Sequence, residues 1–322
     1  MTIPDGAMLA ARLRDGDRSA APQTLNLVEN RTPEGRRQTA ALLRELSPAR
    51  LGGEAQGHIV GVTGPPGAGK STLLGELLRT WRGRGLTVAV LAVDPSSRRT
   101  GGSLLGDRAR IAFDPTDDGV LIRSTAAAGR LGGLAPSTRE AAGALVVAFD
   151  IVVVETVGVG QSETDIAELA DTVAVVIQPG SGDALQFIKS GIMEIPDVLV
   201  VTKADLREVA LRARRDLAAA LRSVGERDTA VISVSSLAPA TGIDELADAL
   251  AAHRTVIDVP ARRAASRRGT ALAAFGAEYG ERGLRAVGGR RAAERRLAEA
   301  DPQADIPALL DLLSPDAGQE TT

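Results

Sequence analysis

Seven short apolar runs punctuate the middle of the chain: "HIVGVT" (58–63), "VAVLAV" (88–93), "VLIR" (120–123), "DIVVVE" (150–155), "TVAVVI" (172–177), "DVLVVT" (197–202) and "AVISVS" (230–235). Most are continuously apolar rather than alternating. That pattern predicts strands buried on both faces, as in a parallel sheet. Between them lie helical patterns such as "KSTLLGELLRTWRG" and "LREVALRARRDLAAALRSV". Strand and helix in alternation predict an α/β fold, a mainly parallel central sheet flanked by helices.

The two ends read differently. Residues 1–55 are helical in pattern, with "AMLAARLRDG" and "PEGRRQTAALLREL"; Pro33 stands near a helix start and Pro48 beyond its end. The apolar "LNLVEN" between them is a candidate for packing onto the sheet domain. After Val259-Pro260 the strand pattern stops. The expected organisation is a helical N-terminal extension (1–55), a sheet domain (56–260) and a helical C-terminal arm (261–322).

Composition narrows the chemistry. Aromatics make up only 2% of 322 residues, so the core must rest on Val, Leu, Ile and Ala. There is no cysteine, which excludes disulfides, thiolate metal sites and thiol nucleophiles. Two histidines, His58 and His253, leave too little for a zinc site or a histidine-centred triad. Residues 261–300 hold ten Arg against four Glu, but no aromatic interleaving accompanies them. With a net charge of -3 overall, the chain gives no reason to expect a nucleic-acid partner. No apolar run reaches the roughly 18 residues of a membrane span. No signal-peptide pattern opens the chain, so a cytoplasmic location is expected.

The most specific motif is "GPPGAGKST", Gly64 to Thr72, which fits G-x-x-x-x-G-K-[ST]. A strand precedes it and a helix follows from about Gly69, the setting a phosphate-binding loop requires. Backbone N–H groups of Gly67, Ala68, Gly69, Lys70 and Ser71 can converge on phosphate oxygens, aided by the helix N-terminus. Lys70 would reach the terminal phosphates as a compact charge, and Ser71 would offer a hydroxyl to Mg²⁺. Magnesium also calls for carboxylates. Asp94 and Glu155 end two of the strands, at the carboxyl edge where ligands of open α/β sheets bind. Asp107 lies in the glycine-rich stretch that follows Asp94.

Toward the far end of the sheet comes "VLVVTKADL", with Thr202, Lys203 and Asp205 in the pattern [NT]-K-x-D. A carboxylate at Asp205 can accept from both N1–H and the 2-amino group of guanine. Adenine offers neither, so such a site rejects it strongly. Lys203 would lay its stem along the base and sugar. Ser235 and Ser236 follow the last strand, and a backbone N–H there, that of Ser236, could donate to guanine O6. The ligands expected are therefore GTP and GDP with Mg²⁺.

In sequence order these pieces resemble the MeaB/ArgK-type GTPases, chaperones of adenosylcobalamin-dependent acyl-CoA mutases. The matching stretches run from about residue 20 to 260: "LVEN", "GPPGAGKST", "AVDPSSRRTGGSLLGDRAR", "DIVVVETVGVGQSE", "PGSGDALQFIKSGIMEI" and "TKAD". The resemblance implies a P-loop G domain of SIMIBI type with helical extensions, the C-terminal one a homodimerisation arm. It implies GTP hydrolysis that gates cofactor loading and protects or reactivates a cobalamin-dependent mutase, methylmalonyl-CoA mutase first among the candidates. It also implies that Asp94, Asp107 and Glu155 are the metal-site acids. "ETVG" then stands for the D-x-x-G of other GTPases, with Gly158 sensing the γ-phosphate.

Lysine usage singles out one more position. Of 38 basic residues only Lys70, Lys189 and Lys203 are lysines. Lys189 falls in "QPGSGDALQFIKSG", which is similar to the family's extra switch loop. With Asp183 and Gln186 it is expected to couple nucleotide state to the partner. Thr202 departs from the asparagine usual in the family, a residue that ties the base loop to the phosphate loop. Ser236 stands where alanine is usual. The arginine-rich tail matches the family pattern poorly. No residue reads as an obvious activator of water, although Gln161 is a candidate, so hydrolysis is expected to be slow alone and stimulated by the partner. A non-hydrolysing homologue that only binds the mutase is disfavoured by the intact Lys70, Ser71, Asp94 and Glu155, and two other readings stay open. One is a P-loop kinase or ATPase acting on a small acceptor, for which no acceptor motif is present. The other is a nickel metallochaperone, which the scarcity of His and Cys disfavours.

Overall fold

The computed structural model describes residues 3–94, 111–126, 134–156, 161–180, 196–225 and 229–314. Each expected apolar run forms a strand: β1 (His58–Thr63), β2 (Val88–Asp94), β3 (Val120–Ala126), β4 (Ile151–Thr156), β5 (Thr172–Ile177), β6 (Val198–Val201) and β7 (Ala230–Ser233). They make one sheet in the order β3-β2-β4-β1-β5-β6-β7, with every pairing parallel. The continuous apolar pattern now has its cause. Strands β1, β4, β5 and β6 are buried at every position, because helices cover both faces. The edge strand β7 is only half-buried, and its sequence is correspondingly more polar.

The described helices are α1 (Gly6–Arg14), α2 (Ala21–Val28), α3 (Pro33–Glu45), α4 (Pro48–Leu51), α5 (Lys70–Gly83), α6 (Pro136–Leu145), α7 (Gln161–Leu169), α8 (Glu208–Val224), α9 (Ile243–Val256), α10 (Val259–Ala286), α11 (Arg290–Ala298) and α12 (Ile306–Leu313). Helix α5 shows why the stretch after the glycine loop is helical. Its Leu73, Leu74, Leu77, Leu78 and Trp81 recur at helical spacing and are all buried in the core that also holds Val60, Val90 and Val153. Each such side chain contributes about 2 kcal/mol of hydrophobic stabilisation. Arg84, just past this helix, holds Asp244 and Asp248 of α9 at 3.1 and 2.6 Å.

By contact the chain divides into two compact units. One comprises residues 58–135 and 149–257, the sheet with α5 and α7–α9. The other comprises residues 1–57, 136–148 and 258–322 and is helical where described. The organisation therefore differs from three consecutive segments. The two chain ends share a unit, and a stretch inserted between β3 and β4 joins them as α6. The apolar "LNLVEN" lies largely in α2, which buries Leu25, Leu27 and Val28 and packs on α6 and α3 within the helical unit.

Local signals set the helix ends. Thr32 accepts from the Gly35 N–H at 3.1 Å with Pro33 following, Asp258 accepts from Ala261 N–H, and Asp305 accepts from Ala308 N–H. Helix α10 breaks at Gly280, whose φ of 60° lies outside the helical region. The arginines of the tail hold this unit together. Arg263 is 5% exposed and donates to the carbonyls of Ala55 and Gly57 at 2.6 Å each, and Arg267 grips both carboxylate oxygens of Glu54. These are charge-assisted bonds with strong directional preference.

Both histidines are absorbed by the floor of the sheet. His58 Nε2 lies 2.8 Å from the hydroxyl of Thr172, the hydroxyl lies 2.9 Å from His253 Nδ1, and His253 Nε2 lies 3.2 Å from Asp197. Since His58 and Thr172 open β1 and β5, this run sits at the amino edge of the strands. No helix among the described residues is long and apolar enough to cross a membrane.

Candidate functional site

At the opposite, carboxyl edge the chain leaves central strand β1 at Thr63 and begins α5 at Lys70. The six residues between need glycine at defined places. A Cβ on Gly64 would stand 2.1 Å from the Val176 carbonyl oxygen of β5, so only glycine lets the loop start this close to its neighbour strand. Gly69 caps α5 with φ 90°, a left-handed conformation that turns the backbone into the helix. Lys70 is 6% exposed, and its Nζ donates to the carbonyls of Gly64 (2.8 Å) and Pro65 (3.1 Å). The ammonium is thereby folded back over the loop, with the first amides of α5 beside it. Backbone donors, a helix N-terminus and a held ammonium together make a site for phosphate oxygens.

The next residue, Ser71, donates its hydroxyl to Glu155 Oε1 at 3.3 Å. Glu155 stands near the end of β4, beside Val62 of β1 and Ala92 of β2 in the sheet register. A hydroxyl and a carboxylate side by side are hard oxygen donors, and they fit Mg²⁺, which takes one or two carboxylates and fills its remaining positions with water and phosphate. Asp94 closes β2 in the backbone, in register with Ala126 of the neighbouring strand. Among the described residues no cluster of three or more metal-ligating side chains occurs. Asp107, proposed as the third acid, lies outside the described residues, as do Gly158, Asp183, Gln186 and Lys189. Gln161 opens α7. A tie that sequence reasoning missed stands beside the metal donors: Thr156 donates to Thr63 Oγ1 at 3.0 Å, pinning the end of β4 to the end of β1.

The "TKAD" stretch lies past the end of β6. Lys203 adopts φ 54° and is exposed, while the Ala204 N–H donates to the Val234 carbonyl at 3.0 Å. That bond sets Asp205 against the chain leaving β7, where Ser235 donates its hydroxyl to Asp205 Oδ1 at 2.9 Å. Ser235 is itself fixed by paired backbone bonds with Thr241 at 3.0 and 2.9 Å. One carboxylate oxygen is thus held by protein. Asp205 is exposed, which leaves its carboxylate open to a ligand. Ser236, next along, is half-buried.

Thr202 resolves the departure from the family pattern. Its hydroxyl donates to the Ala68 carbonyl at 2.8 Å, and its methyl lies 4.0 Å from the position of a Cβ on Gly69. Threonine thereby makes the tie between base loop and phosphate loop. The two loops come from β6 and β1, with β5 between them, and are locked at a fixed separation. Thr202→Val keeps the shape and removes the donor. It is expected to weaken guanine-nucleotide affinity by roughly tenfold, the worth of about one buried hydrogen bond. Titration with a fluorescent GDP would measure it, and unchanged affinity would mean the tie does not position the loops.

Comparison with known proteins agrees with this geometry. Residues 21–278 match the family described as methylmalonyl-CoA mutase-associated GTPase MeaB. A protein of Pyrococcus abyssi named as a GTPase is 45% identical over 268 residues, covering 81% of this chain and 79% of its own. The GTPase ArgK of Escherichia coli is 39% identical over 264 residues, covering 78% and 76%. A crystal structure of an LAO/AO transport system kinase superposes with a TM-score of 0.64 at 30% identity, over 91% of this chain and 96% of that one. A parallel sheet with a phosphate loop on its central strand, and a match that spans both units, place the chain in the MeaB family of GTPases, and it is a P-loop GTPase.

Proposed function

We propose that this GTPase gates adenosylcobalamin loading of a cobalamin-dependent acyl-CoA mutase, methylmalonyl-CoA mutase first, and protects or reactivates that enzyme. The observation that carries the reading is the family match over residues 21–278, whose description names the mutase association. The locked base and phosphate loops support it, because they give a guanine nucleotide two anchor points at once.

In the proposed mechanism Lys70 swings from the Gly64 and Pro65 carbonyls onto the terminal phosphates, while the amides from Gly67 through Thr72 hold the oxygens. Mg²⁺, when bound, neutralises charge on those oxygens. Ser71, Asp94 and Glu155 would hold it directly or through water, with Asp107 as a further acid, and Gly158 would read the γ-phosphate through its amide. Phosphoryl transfer to water needs positioning and charge neutralisation more than covalent chemistry, and these residues supply that. Asp183, Gln186 and Lys189 carry the nucleotide state to the mutase. The C-terminal arm pairs two copies, and the assembly works in the cytoplasm.

The test is steady-state hydrolysis of GTP against ATP by the purified protein, with and without the mutase. GTP-selective turnover, slow alone and several-fold faster with the mutase, is expected. Lys189→Ala should abolish the stimulation while sparing basal turnover. Turnover indifferent to the mutase would overturn the partner assignment. ATP turnover dependent on an added small acceptor would replace it with a kinase.

A further inference from the structure

The helical unit contains a cavity of about 470 Å³, lined by helices α3, α6, α10 and α12 and by the loop after α2. This is within the range of sites that hold small molecules. Its apolar wall includes Leu43, Ala274, Ile306 and Leu310. Among its charges, two pairs are already made. Arg36 meets Glu278 at 2.8 Å, and Arg44 meets Asp311 at 3.6 Å.

Two opposite charges remain over. Glu140, on α6, is 9% exposed, and no hydrogen bond or ion pair among the described residues reaches its carboxyl group. Arg31, on the loop after α2, is exposed and likewise has no ion pair. The Arg31 and Arg36 guanidiniums act on Glu140 only at a distance, as charges of opposite sign. A buried carboxyl without donors is costly to keep ionised, and burial pushes its pKa to about 7. Such a group on a cavity wall is either a defect or one half of a binding site.

We propose that this cavity is a binding site for a small zwitterion with an apolar body, a free α-amino acid or dipeptide, whose ammonium meets Glu140 and whose carboxylate meets Arg31. The complementarity is specific. A plain anion would satisfy Arg31 and leave Glu140 without a donor, and a plain amine would do the reverse. A dipolar ligand satisfies both across the gap between them, while its side chain covers Leu43, Ile306 and Leu310. The site lies wholly within the helical unit and uses none of the residues assigned to the nucleotide.

The test is calorimetric titration of the full-length protein with L-leucine and Leu-Leu, against 4-methylpentanoate, which lacks the ammonium, and 3-methylbutylamine, which lacks the carboxylate. At least one zwitterion should bind tenfold or more tighter than either half-molecule. Glu140→Gln should bring it down to the level of the acid alone, and Arg31→Met to that of the amine alone. Arg31 is on the surface, so its variant keeps the test decisive should Glu140→Gln fold poorly, which GDP binding would reveal. Absence of zwitterion binding at millimolar concentration, half-molecules that bind equally well, or affinity unmoved by Arg31→Met would each overturn the proposal.

Discussion

Replacing Asp205 with asparagine should lower GTP affinity by about two orders of magnitude or more and turn the preference toward xanthosine triphosphate. The reason lies in what holds the carboxylate. Ser235 donates to Oδ1, so an asparagine keeps that oxygen on the serine and directs its amide nitrogen at the base. Guanine then brings N1–H and a 2-amino group against a donor, and both lose their acceptor. Each unpaired buried donor costs about 1–3 kcal/mol, more where the lost partner was charged. Xanthine carries a carbonyl where guanine carries its 2-amino group, and that oxygen can accept from the new amide. Competition against a fluorescent GDP would measure both affinities. An Asp205→Asn protein that still prefers GTP would show that the carboxylate does not read the base.

Glu140→Gln should stabilise the protein at pH 8 and leave its stability nearly unchanged at pH 4. In the folded protein, burial holds the Glu140 proton until about pH 7, against an ordinary value of 4.5, with Arg31 and Arg36 offsetting part of the shift. Between those values the folded state binds more protons than the unfolded one, so stability falls as pH rises through the interval. Below it Glu140 is neutral in both states and costs nothing. Above it the full penalty is present, at most about 3 kcal/mol for a shift of this size. Glutamine has nearly the same shape and never ionises. Urea midpoints at pH 4, 6 and 8 should therefore diverge between variant and parent as pH increases. A gain equal at every pH would assign the effect to packing, and a loss at pH 8 would mean that the carboxylate has a donor after all.

The sheet was readable from sequence because burial on both faces leaves continuous apolar runs, and each of those runs became a strand. The glycine loop and Thr202–Asp205 were readable because their spacing is tied to strand ends. What the sequence hid depends on groups far apart in the chain. Nothing in "PSTREAAGAL" announces that α6 leaves the sheet region to join both chain ends, since its amphipathic pattern would suit either unit. The surplus of arginine in the tail showed only that no aromatic interleaving accompanies it. Arg263 is nearly buried on the carbonyls of Ala55 and Gly57, which are backbone acceptors and invisible to residue patterns. The departure at Thr202 hid a tie of the same kind, because its partner is another backbone carbonyl, that of Ala68.

The chain's two imidazoles are committed to a single run through Thr172 at the amino edge of the sheet, while phosphates would lie at the carboxyl edge. No histidine of this protein can therefore take the proton of an attacking water. Among the side chains of this protein only carboxylates remain for that proton, and the terminal phosphate of the nucleotide, whose last ionisation lies near pH 6 as an imidazole's does, is the stronger acceptor at hand.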